Sequence, residues 1–250
     1  AMHASASFDS RPTLSRAEAR EVYDGFAVSG HTGGKDASSG YGGPAIKALL
    51  SMAAFASARS VLDYGCGAGK LAEVALARHP DLVWRGIDQS PKMVLSANER
   101  LHQFGERARV ELLEDGEPKS VDVAPGTVDR FVSTYCLDLM SERDMFEVLY
   151  LAESSLEPTQ GLLLLAGITW GYRSGIKTFL MTLLWEVLYR VRRKMVGGCR
   201  PQHLLPYLRA CGWQIVAVER TLPVGFPWMA SEVIAARPPV SRTSRTSGPL

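Results

Sequence analysis

One short stretch of the chain combines an acidic residue with glycines at alternate positions, between an apolar run typical of a strand and a run typical of a helix. Glycine adopts positive φ and lets the backbone approach another molecule closely, and the first N–H groups of a helix have no partner within that helix. This stretch therefore predicts a cradle for a nucleotide-like small molecule. Its acid and glycines are Asp63, Gly65, Gly67 and Gly69. Lys70 stands where the dinucleotide fingerprint G-x-G-x-x-G has its third glycine, so the pattern is of a different kind.

A second carboxylate follows at the distance expected of a nucleoside-binding site. Residues 81–88 are typical of a short strand that ends in Asp88, which lies 19 positions after Gly69. A carboxylate at that point can accept two hydrogen bonds from a ribose diol. A turn or cap residue is the alternative for this acid, but Ser90 is the better cap for the helix predicted over residues 92–104.

The pattern D-x-G-x-G-x-G and the later run G-I-D-Q-S resemble the first two motifs of the class I S-adenosylmethionine-dependent methyltransferases, in their small-molecule, UbiE-like branch. The resemblance covers roughly residues 40–237. It implies S-adenosyl-L-methionine as cofactor and S-adenosyl-L-homocysteine as product. It further implies that the glycine turn and the second carboxylate hold the methionine end and the ribose, and that the turn after the third strand contacts the adenine amino group. The cofactor-binding residues so implied are Asp63, Gly65, Cys66, Gly67, Gly69, Asp88, Gln89, Asp115, Gly116 and Thr134. A solvated acidic turn is the alternative for Asp115.

The order of predicted elements favours an α/β fold: a Rossmann-like, doubly wound, seven-stranded and mostly parallel sheet with an antiparallel last strand and helices on both faces. A capping-box-like pattern at Ser141 predicts a helix that ends at about Ser155. After the strands at the two acidic motifs, the predicted strands are 108–113, 128–135, 162–166, 213–221 and 231–236, the last two antiparallel.

Three regions are predicted along the chain. Residues 1–44 form an N-terminal helix and a Gly-rich lid, and residues 45–237 form the methyltransferase domain. This domain carries a helical insertion at residues 172–200, after strand five. Residues 238–250 form a flexible tail rich in Ser, Thr, Arg and Pro.

The N-terminal region is expected to close the site. Ser15 begins a capping box, and six glycines fall between positions 30 and 43, a density that no regular element tolerates. We expect a lid here, with a disordered start of the domain as the alternative. Its side chains expected to point inward are Tyr23, His31 and Tyr41.

The helix predicted over residues 176–196 has an apolar core of 14 residues, apolar almost all round. At the standard rise this core reaches only about 21 Å, too short to cross a bilayer. A basic cluster follows at positions 190–194. The helix is expected to cover the acceptor, and a membrane-surface helix or a dimer contact are the alternatives.

Composition and charge limit the kinds of partner that the chain is expected to bind. The 250 residues include 28 basic and 26 acidic ones, and two of the basic residues, Arg242 and Arg245, lie in the tail, so the body balances at zero. Nucleic acid is therefore not expected as a partner. The four cysteines show no metal-ligand spacing, so no metal is expected, and they predict reduced thiols in an intracellular, cytoplasmic protein. A monomer and a homodimer both remain open.

The chemistry expected is in-line displacement of the sulfonium methyl group onto a small-molecule acceptor. Holding the acceptor near attack distance in a dry site supplies much of the rate. His31 is the first candidate for a general base, with Asp138 as the alternative and Tyr135 beside it. The acceptor pocket is expected to include Tyr23, Tyr41, Trp170 and Tyr172.

Two other functions remain open at this point. A protein or nucleic-acid methyltransferase is one, although the N-P-P-Y-type motif of amino-methylating enzymes is absent after the predicted fourth strand. A non-catalytic module that binds adenosyl ligands is the other. The acceptor atom cannot be derived from the sequence.

Overall fold

The computed structural model describes residues 13–28, 42–170, 175–222 and 229–239. Within them, seven strands form one sheet in the order β3-β2-β1-β4-β5-β7-β6. All neighbouring pairs are parallel except those of β7, which is antiparallel to both β5 and β6. The predicted fold class is thereby confirmed. The strands are β1 (Ser60–Tyr64), β2 (Val83–Asp88), β3 (Ala108–Leu112), β4 (Arg130–Thr134), β5 (Leu162–Ile168), β6 (Gln214–Thr221) and β7 (Ser231–Arg237).

The strand order reverses at β1, which places a crevice at its carboxyl end. On one side Asp63 pairs with Gly86 of β2, and on the other side it pairs with Val132 of β4. The chain leaves β1 towards β2 and later returns to β4, so the loops after these strands diverge. Ligands of open α/β sheets bind at such a switch point.

Helices cover both faces of the sheet because neighbouring strand residues point to opposite sides. Val61 belongs to an apolar cluster with α2, α3 and α4, whereas Leu62 belongs to the cluster with α5 and α7. The central strands are buried on both faces, which explains their continuous apolar runs. The helices are α1 (Arg16–Val28), α2 (Gly42–Met52), α3 (Lys70–Arg78), α4 (Pro91–Leu101), α5 (Glu142–Ser155), α6 (Ile176–Arg192) and α7 (Leu204–Ala210).

The predicted helix starts are confirmed by their caps. Before α1, the Ser15 N–H donates to the Glu18 carboxylate at 3.0 Å, and the Glu18 N–H donates back to the Ser15 hydroxyl at 3.3 Å. The hydroxyl groups of Ser90 and Ser141 cap α4 and α5 in the same way. The helix α4 ends at Leu101, earlier than expected, because a 3₁₀ turn takes over before Gly105.

The sequence predicts a helix α6 that is apolar almost all round, but in the structure polar residues lie on its buried side. Its protein-facing side carries buried Thr178, Thr182, Glu186 and Tyr189. A 3₁₀ turn (Arg193–Val196) and the left-handed Gly197 end it. In the described part of the chain, no helix is long and apolar enough to cross a membrane.

Several predicted features lie outside the described residues. They are the glycine-rich part of the lid with His31 and Tyr41, the acceptor-pocket residue Tyr172, and all but the first two residues of the C-terminal tail.

Candidate functional site

The glycine turn after β1 is held by its neighbour strand. The N–H groups of Gly65 and Cys66 both donate to the Ile87 carbonyl, at 2.8 and 3.0 Å. Gly65 has φ +73°, and a Cβ placed there would lie 2.4 Å from the Cys136 Sγ. Only glycine therefore fits, and bare backbone forms the floor of the crevice.

Asp88 ties the turn after β1 to the turn after β2. Its Oδ2 accepts a hydrogen bond from the Gly67 N–H at 2.8 Å, and its Oδ1 accepts one from the Ser90 N–H at 2.9 Å. Each carboxylate oxygen can accept a further bond. Asp88 also lies on the wall of the crevice, so its remaining acceptor capacity is available to a ligand with hydroxyl groups.

A cleft that is partly open to solvent lies above this floor. It brings together six residues predicted to bind cofactor or acceptor, or to take part in catalysis: Gly65, Asp88, Gln89, Gly116, Tyr135 and Tyr23. Apolar side chains of the α1 start and of the segment after β4 complete its walls, among them Leu14, Leu139 and Met140.

Other predicted cofactor residues lie behind the cleft wall. Asp63 and Thr134 are buried, and the Cys66 side chain packs against β2, where its Sγ blocks any side chain at Gly86. Cys66 therefore supports the turn from the side of β2 and does not line the cleft. Gly67 and Gly69 shape the turn through left-handed φ angles of +57° and +73°.

Asp115 is engaged within its own turn. Its carboxylate accepts hydrogen bonds from the Glu117 N–H and the Ser120 hydroxyl. These two bonds, with that from Ser120 the stronger, lower the pKa of Asp115. The side chain is exposed and lies outside the cleft wall, whereas Gly116 lines it. A contact from Asp115 to an adenine stays a prediction.

Tyr135 borders the cleft with its ring but buries its hydroxyl. The hydroxyl groups of Tyr135 and Ser231 form a hydrogen bond of 2.7 Å, and burial raises the pKa of Tyr135. The residue has φ +50°, an uncommon conformation for a non-glycine residue. Its N–H donates to the Ala166 carbonyl at 2.7 Å. Strain of this kind is found where the chain must place a side chain at a site.

Asp138 is buried beside the ends of β4 and β5. Its Oδ2 accepts from the Ile168 N–H at 3.4 Å, and its carbonyl accepts from the Arg200 N–H at 3.2 Å. The carboxylate does not line the cleft, although the residues directly after it, Leu139 and Met140, do. Trp170 is half-buried just after β5 and also lies outside the cleft wall.

The helix α1 lies across the cleft and is attached to its rim by three polar side chains. The Arg16 guanidinium donates to Glu117 at 2.9 Å and to Asp144 at 2.8 Å, so it joins the loop after β3 to the start of α5. Arg20 donates to the Glu114 carbonyl, and Asp24 accepts from the Ser90 hydroxyl at 2.5 Å.

Tyr23 supplies the inward side of the same helix. It lines the cleft, its hydroxyl lies 3.6 Å from the Cys199 Sγ, and its ring packs edge-on against Phe26.

Sequence reasoning missed two polar residues of the cleft wall, Arg16 and Asp144, and the aromatic Tyr64. Arg16 stands inside the predicted capping box, and Asp144 stands inside another. Both therefore look like local helix-start residues, and no sequence signal indicates that they meet across 128 positions.

The four cysteines are free thiols, and Cys211 is the one that is not buried. Within the described ranges, no group of three or more His, Cys, Asp or Glu side chains is placed to hold a metal ion.

Comparison with known proteins identifies a domain. A family model described as a methyltransferase domain matches residues 61–159. Among curated proteins, trans-aconitate 2-methyltransferase from Methylobacterium nodulans is 40% identical over 53 residues, which are 21% of this chain and 20% of that protein. The chain thus matches about a fifth of the length of this curated relative.

Solved structures share the fold. The 4+2 cyclase SpnF aligns with a TM-score of 0.66 at 17% identity, covering 93% of this chain and 100% of that one. A second neighbour is geranyl diphosphate C-methyltransferase from Streptomyces coelicolor, solved with Mg²⁺, geranyl diphosphate and S-adenosyl-L-homocysteine. It aligns with a TM-score of 0.57 at 15% identity, covering 77% of this chain and 79% of that one. Since one neighbour is a cyclase, the fold alone does not determine the reaction.

Proposed function

We propose that the chain, whose residues 61–159 match a methyltransferase-domain model, is a class I S-adenosylmethionine-dependent methyltransferase that methylates a small-molecule acceptor in the cleft at the carboxyl edge of its sheet. One observation carries the proposal. The glycine turn and Asp88 form a backbone-lined floor at the switch point of the sheet, and no side chain fits at Gly65.

The residues of the cleft fit the proposed cofactor. The turn at Gly65 leaves room for the methionine end, and Asp88 would accept hydrogen bonds from the ribose hydroxyls. Gln89 lies beside Asp88, and Gly116 lies where the adenine end would come. Asp63, Cys66, Gly67, Gly69 and Thr134 would act from behind the wall, by holding the shape of the turn and of the strand ends.

When bound, the cofactor supplies an electrophilic methyl group on a sulfonium. The chain would contribute orientation and exclusion of water, which together account for much of the acceleration of such a transfer. Leu14 and Tyr23 cover the cleft from α1, and Leu139 and Met140 close it beyond β4. These side chains form the dry part of the proposed site.

An acceptor with an apolar body fits this part of the cleft best. Much of the cleft wall is apolar or aromatic, and the body carries no net positive charge, which does not favour nucleic acid as the acceptor. In addition to Tyr23, Trp170, Tyr41 and Tyr172 remain proposed acceptor contacts.

A general base is needed only if the acceptor is a hydroxyl or a protonated amine. His31 remains a proposed base. Asp138 is the proposed base among the described residues, because it is the carboxylate that directly precedes the cleft residues Leu139 and Met140. Its burial would require the acceptor to reach past Tyr135.

The test is formation of S-adenosyl-L-homocysteine by the full chain, measured by mass spectrometry with S-adenosyl-L-methionine and a panel of small acceptors. Parallel arms contain peptides and transfer RNA. Product that depends on a small acceptor supports the proposal. Product only in the peptide or RNA arm, or binding of the cofactor with no product in any arm, contradicts it.

A further inference from the structure

The helix α6 leaves more of its apolar residues exposed than a helix packed on a core normally does. Its most buried residues are polar or carry a hydroxyl, and each is 4% exposed or less: Thr178, Thr182, Glu186 and Tyr189. The apolar Phe179, Met181, Trp185 and Leu188 are half-buried, and Trp185 packs on the core. Its solvent-facing residues are apolar, and each is 44–72% exposed: Ile176, Leu180, Leu183, Leu184, Val187, Val191 and, in the 3₁₀ turn that follows α6, Met195.

The exposed residues form one continuous stripe, here called the apolar stripe. Their spacing of three and four positions keeps them on one side of the helix over its full length. Exposed apolar patches of this extent mark interaction sites.

Cations accompany the apolar stripe. Residues 176–196 contain five basic residues and one acidic residue, Glu186. That acid is buried and accepts from Arg190 at 2.9 Å, so it offsets the charge of Arg190 alone. Lys194 pairs with Glu21 at 2.8 Å, while Lys177 and Arg192 are exposed at the two ends of the helix.

From this combination we infer that the apolar stripe docks on an anionic lipid surface. An interfacial helix needs apolar side chains that enter the boundary of the acyl chains and cations that reach the headgroups beside them. The helix α6 has both, and its 17 residues suit a position in the plane of the membrane surface.

A second copy of the chain fits the same face less well. A two-fold contact brings the same patch of each copy together. If the two helices ran antiparallel, Lys177 of one copy would approach Arg192 of the other, and in the parallel arrangement identical cations would meet. The apolar stripe itself offers no exposed acid to neutralise them, and the acids nearest to the cationic end, Glu18 and Glu21, belong to α1.

The cationic end of α6 also borders the cleft. Leu14, which lines the cleft, also lines a groove with Arg190, Val191 and Met195. Docking by the apolar stripe would therefore place the cleft opening next to the lipid surface. This inference rests on the exposed face alone and does not depend on the proposed methyl transfer.

The test is co-sedimentation of the full chain with vesicles of two compositions: phosphatidylcholine alone, and phosphatidylcholine with a quarter of phosphatidylglycerol. We expect binding to the anionic vesicles and little to the neutral ones, with binding that weakens as salt is added.

Two pairs of variants separate the apolar and the charged contributions. Leu180→Ser with Val187→Ser is expected to weaken binding by about tenfold or more, and its matched control is Leu95→Ser with Tyr150→Ser, two residues that are equally exposed on other helices. Lys177→Gln with Arg192→Gln, at two exposed cations of the helix, is expected to lower affinity for the anionic vesicles roughly fivefold for each cation, with Arg109→Gln and Arg143→Gln as its control.

Equal binding to both vesicle types, or no binding to either by a folded chain, would overturn the inference. So would stripe variants that bind like their controls. Analytical ultracentrifugation of the same samples tests whether a second copy of the chain binds the apolar stripe instead. If the chain forms a dimer that the stripe variants dissociate, and does not bind vesicles, the face is a contact between two copies.

Discussion

Around the carboxyl ends of β1 and β2, backbone groups and one carboxylate define the site, whereas around β4, β5 and α1 side chains from distant parts of the chain define it. On the first side, the Ile87 carbonyl, the glycine turn and Asp88 hold one another within 25 residues of sequence. On the second side, Arg16 reaches Asp144 across 128 positions, and Tyr135 reaches Ser231 across 96. The proposed cofactor side is thus local in sequence, and the proposed acceptor side depends on how α1 and the C-terminal strands pack.

The largest effect on stability and cofactor binding is expected for a substitution that fills the glycine turn after β1. Gly65→Ala places a methyl group 2.4 Å from the Cys136 Sγ at a left-handed φ. Strain and overpacking together should lower the free energy of unfolding by about 2–5 kcal/mol, and affinity for S-adenosyl-L-homocysteine should fall at least about tenfold. Calorimetric titration and thermal unfolding measure the two quantities.

The matched control is Gly105→Ala, which has the same sign of φ and open space around it. It should cost only backbone strain, about 1–3 kcal/mol, and leave binding unchanged. Equal loss of binding in both variants would show that the turn at Gly65 has no special role.

The Asp88→Asn variant should have the second-largest effect on cofactor binding. The amide keeps the size of the side chain but offers one acceptor where the structure uses two, to Gly67 and Ser90. Loss of a hydrogen bond to a charged group corresponds to about 1.5–3 kcal/mol, so cofactor affinity should fall roughly ten- to a hundredfold.

Asp88→Ala should also affect stability. That variant leaves the N–H groups of Gly67 and Ser90 without their acceptor and should destabilise the chain by about 1–3 kcal/mol. If Asp88→Asn binds cofactor as the wild type does, the assignment of Asp88 to the ribose is contradicted.

Arg16→Gln probes the distant side, and its effect should be smaller. Arg16 is about 39% exposed, so its ion pairs with Glu117 and Asp144 are screened by solvent and should stabilise the fold by less than about 1 kcal/mol. The expected result is faster amide hydrogen exchange in α1, with exchange in β1 unchanged. Arg143→Gln, which removes an exposed ion pair within α5, is the control and should leave amide exchange in both α1 and β1 unchanged.

The same contact predicts a pH dependence. Lys119 and then Arg16 hold the pKa of Glu117 below its ordinary value of 4.5. A lowered carboxylate pKa means that the contribution is present above 4.5 and is lost as the pH falls through the folded-state value. After correction for the pH dependence of the intrinsic exchange rate, amide exchange in α1 should therefore be constant from pH 8 to pH 5 and should rise only in more acidic solution.

The smallest effect is expected for Asp115→Asn. Its carboxylate is occupied by Ser120 and Glu117, outside the cleft. Cofactor affinity should change by less than about threefold, the size of a weak exposed hydrogen bond. A larger loss would favour the predicted contact to adenine and would extend the local side of the site to the turn after β3.

The contrast between the two sides explains what could be predicted from the sequence. The turn at Gly65 and the acid at Asp88 could be predicted because strand, turn and helix signals lie next to one another. The sheet followed from apolar runs, and the caps at Ser15, Ser90 and Ser141 from single residues. These features depend on neighbours in sequence.

The acceptor side could not be predicted in the same way. Nothing near Arg16 indicates that it meets Asp144, and nothing near Tyr135 indicates its left-handed φ. The helix α6 was expected to be apolar all round, because periodicity alone does not reveal which apolar residues the rest of the fold leaves exposed. Such features are determined by tertiary packing.

The most direct test of the proposed site is thermal unfolding of the full chain with S-adenosyl-L-methionine, S-adenosyl-L-homocysteine and NAD added separately. A ligand that binds only the native state at a hundredfold excess over Kd stabilises it by about 2.7 kcal/mol. We predict a clear rise of Tm with both adenosyl ligands and none with NAD, and loss of that rise in Gly65→Ala but not in Gly105→Ala. A rise with NAD alone, or none with either adenosyl ligand, would contradict the account.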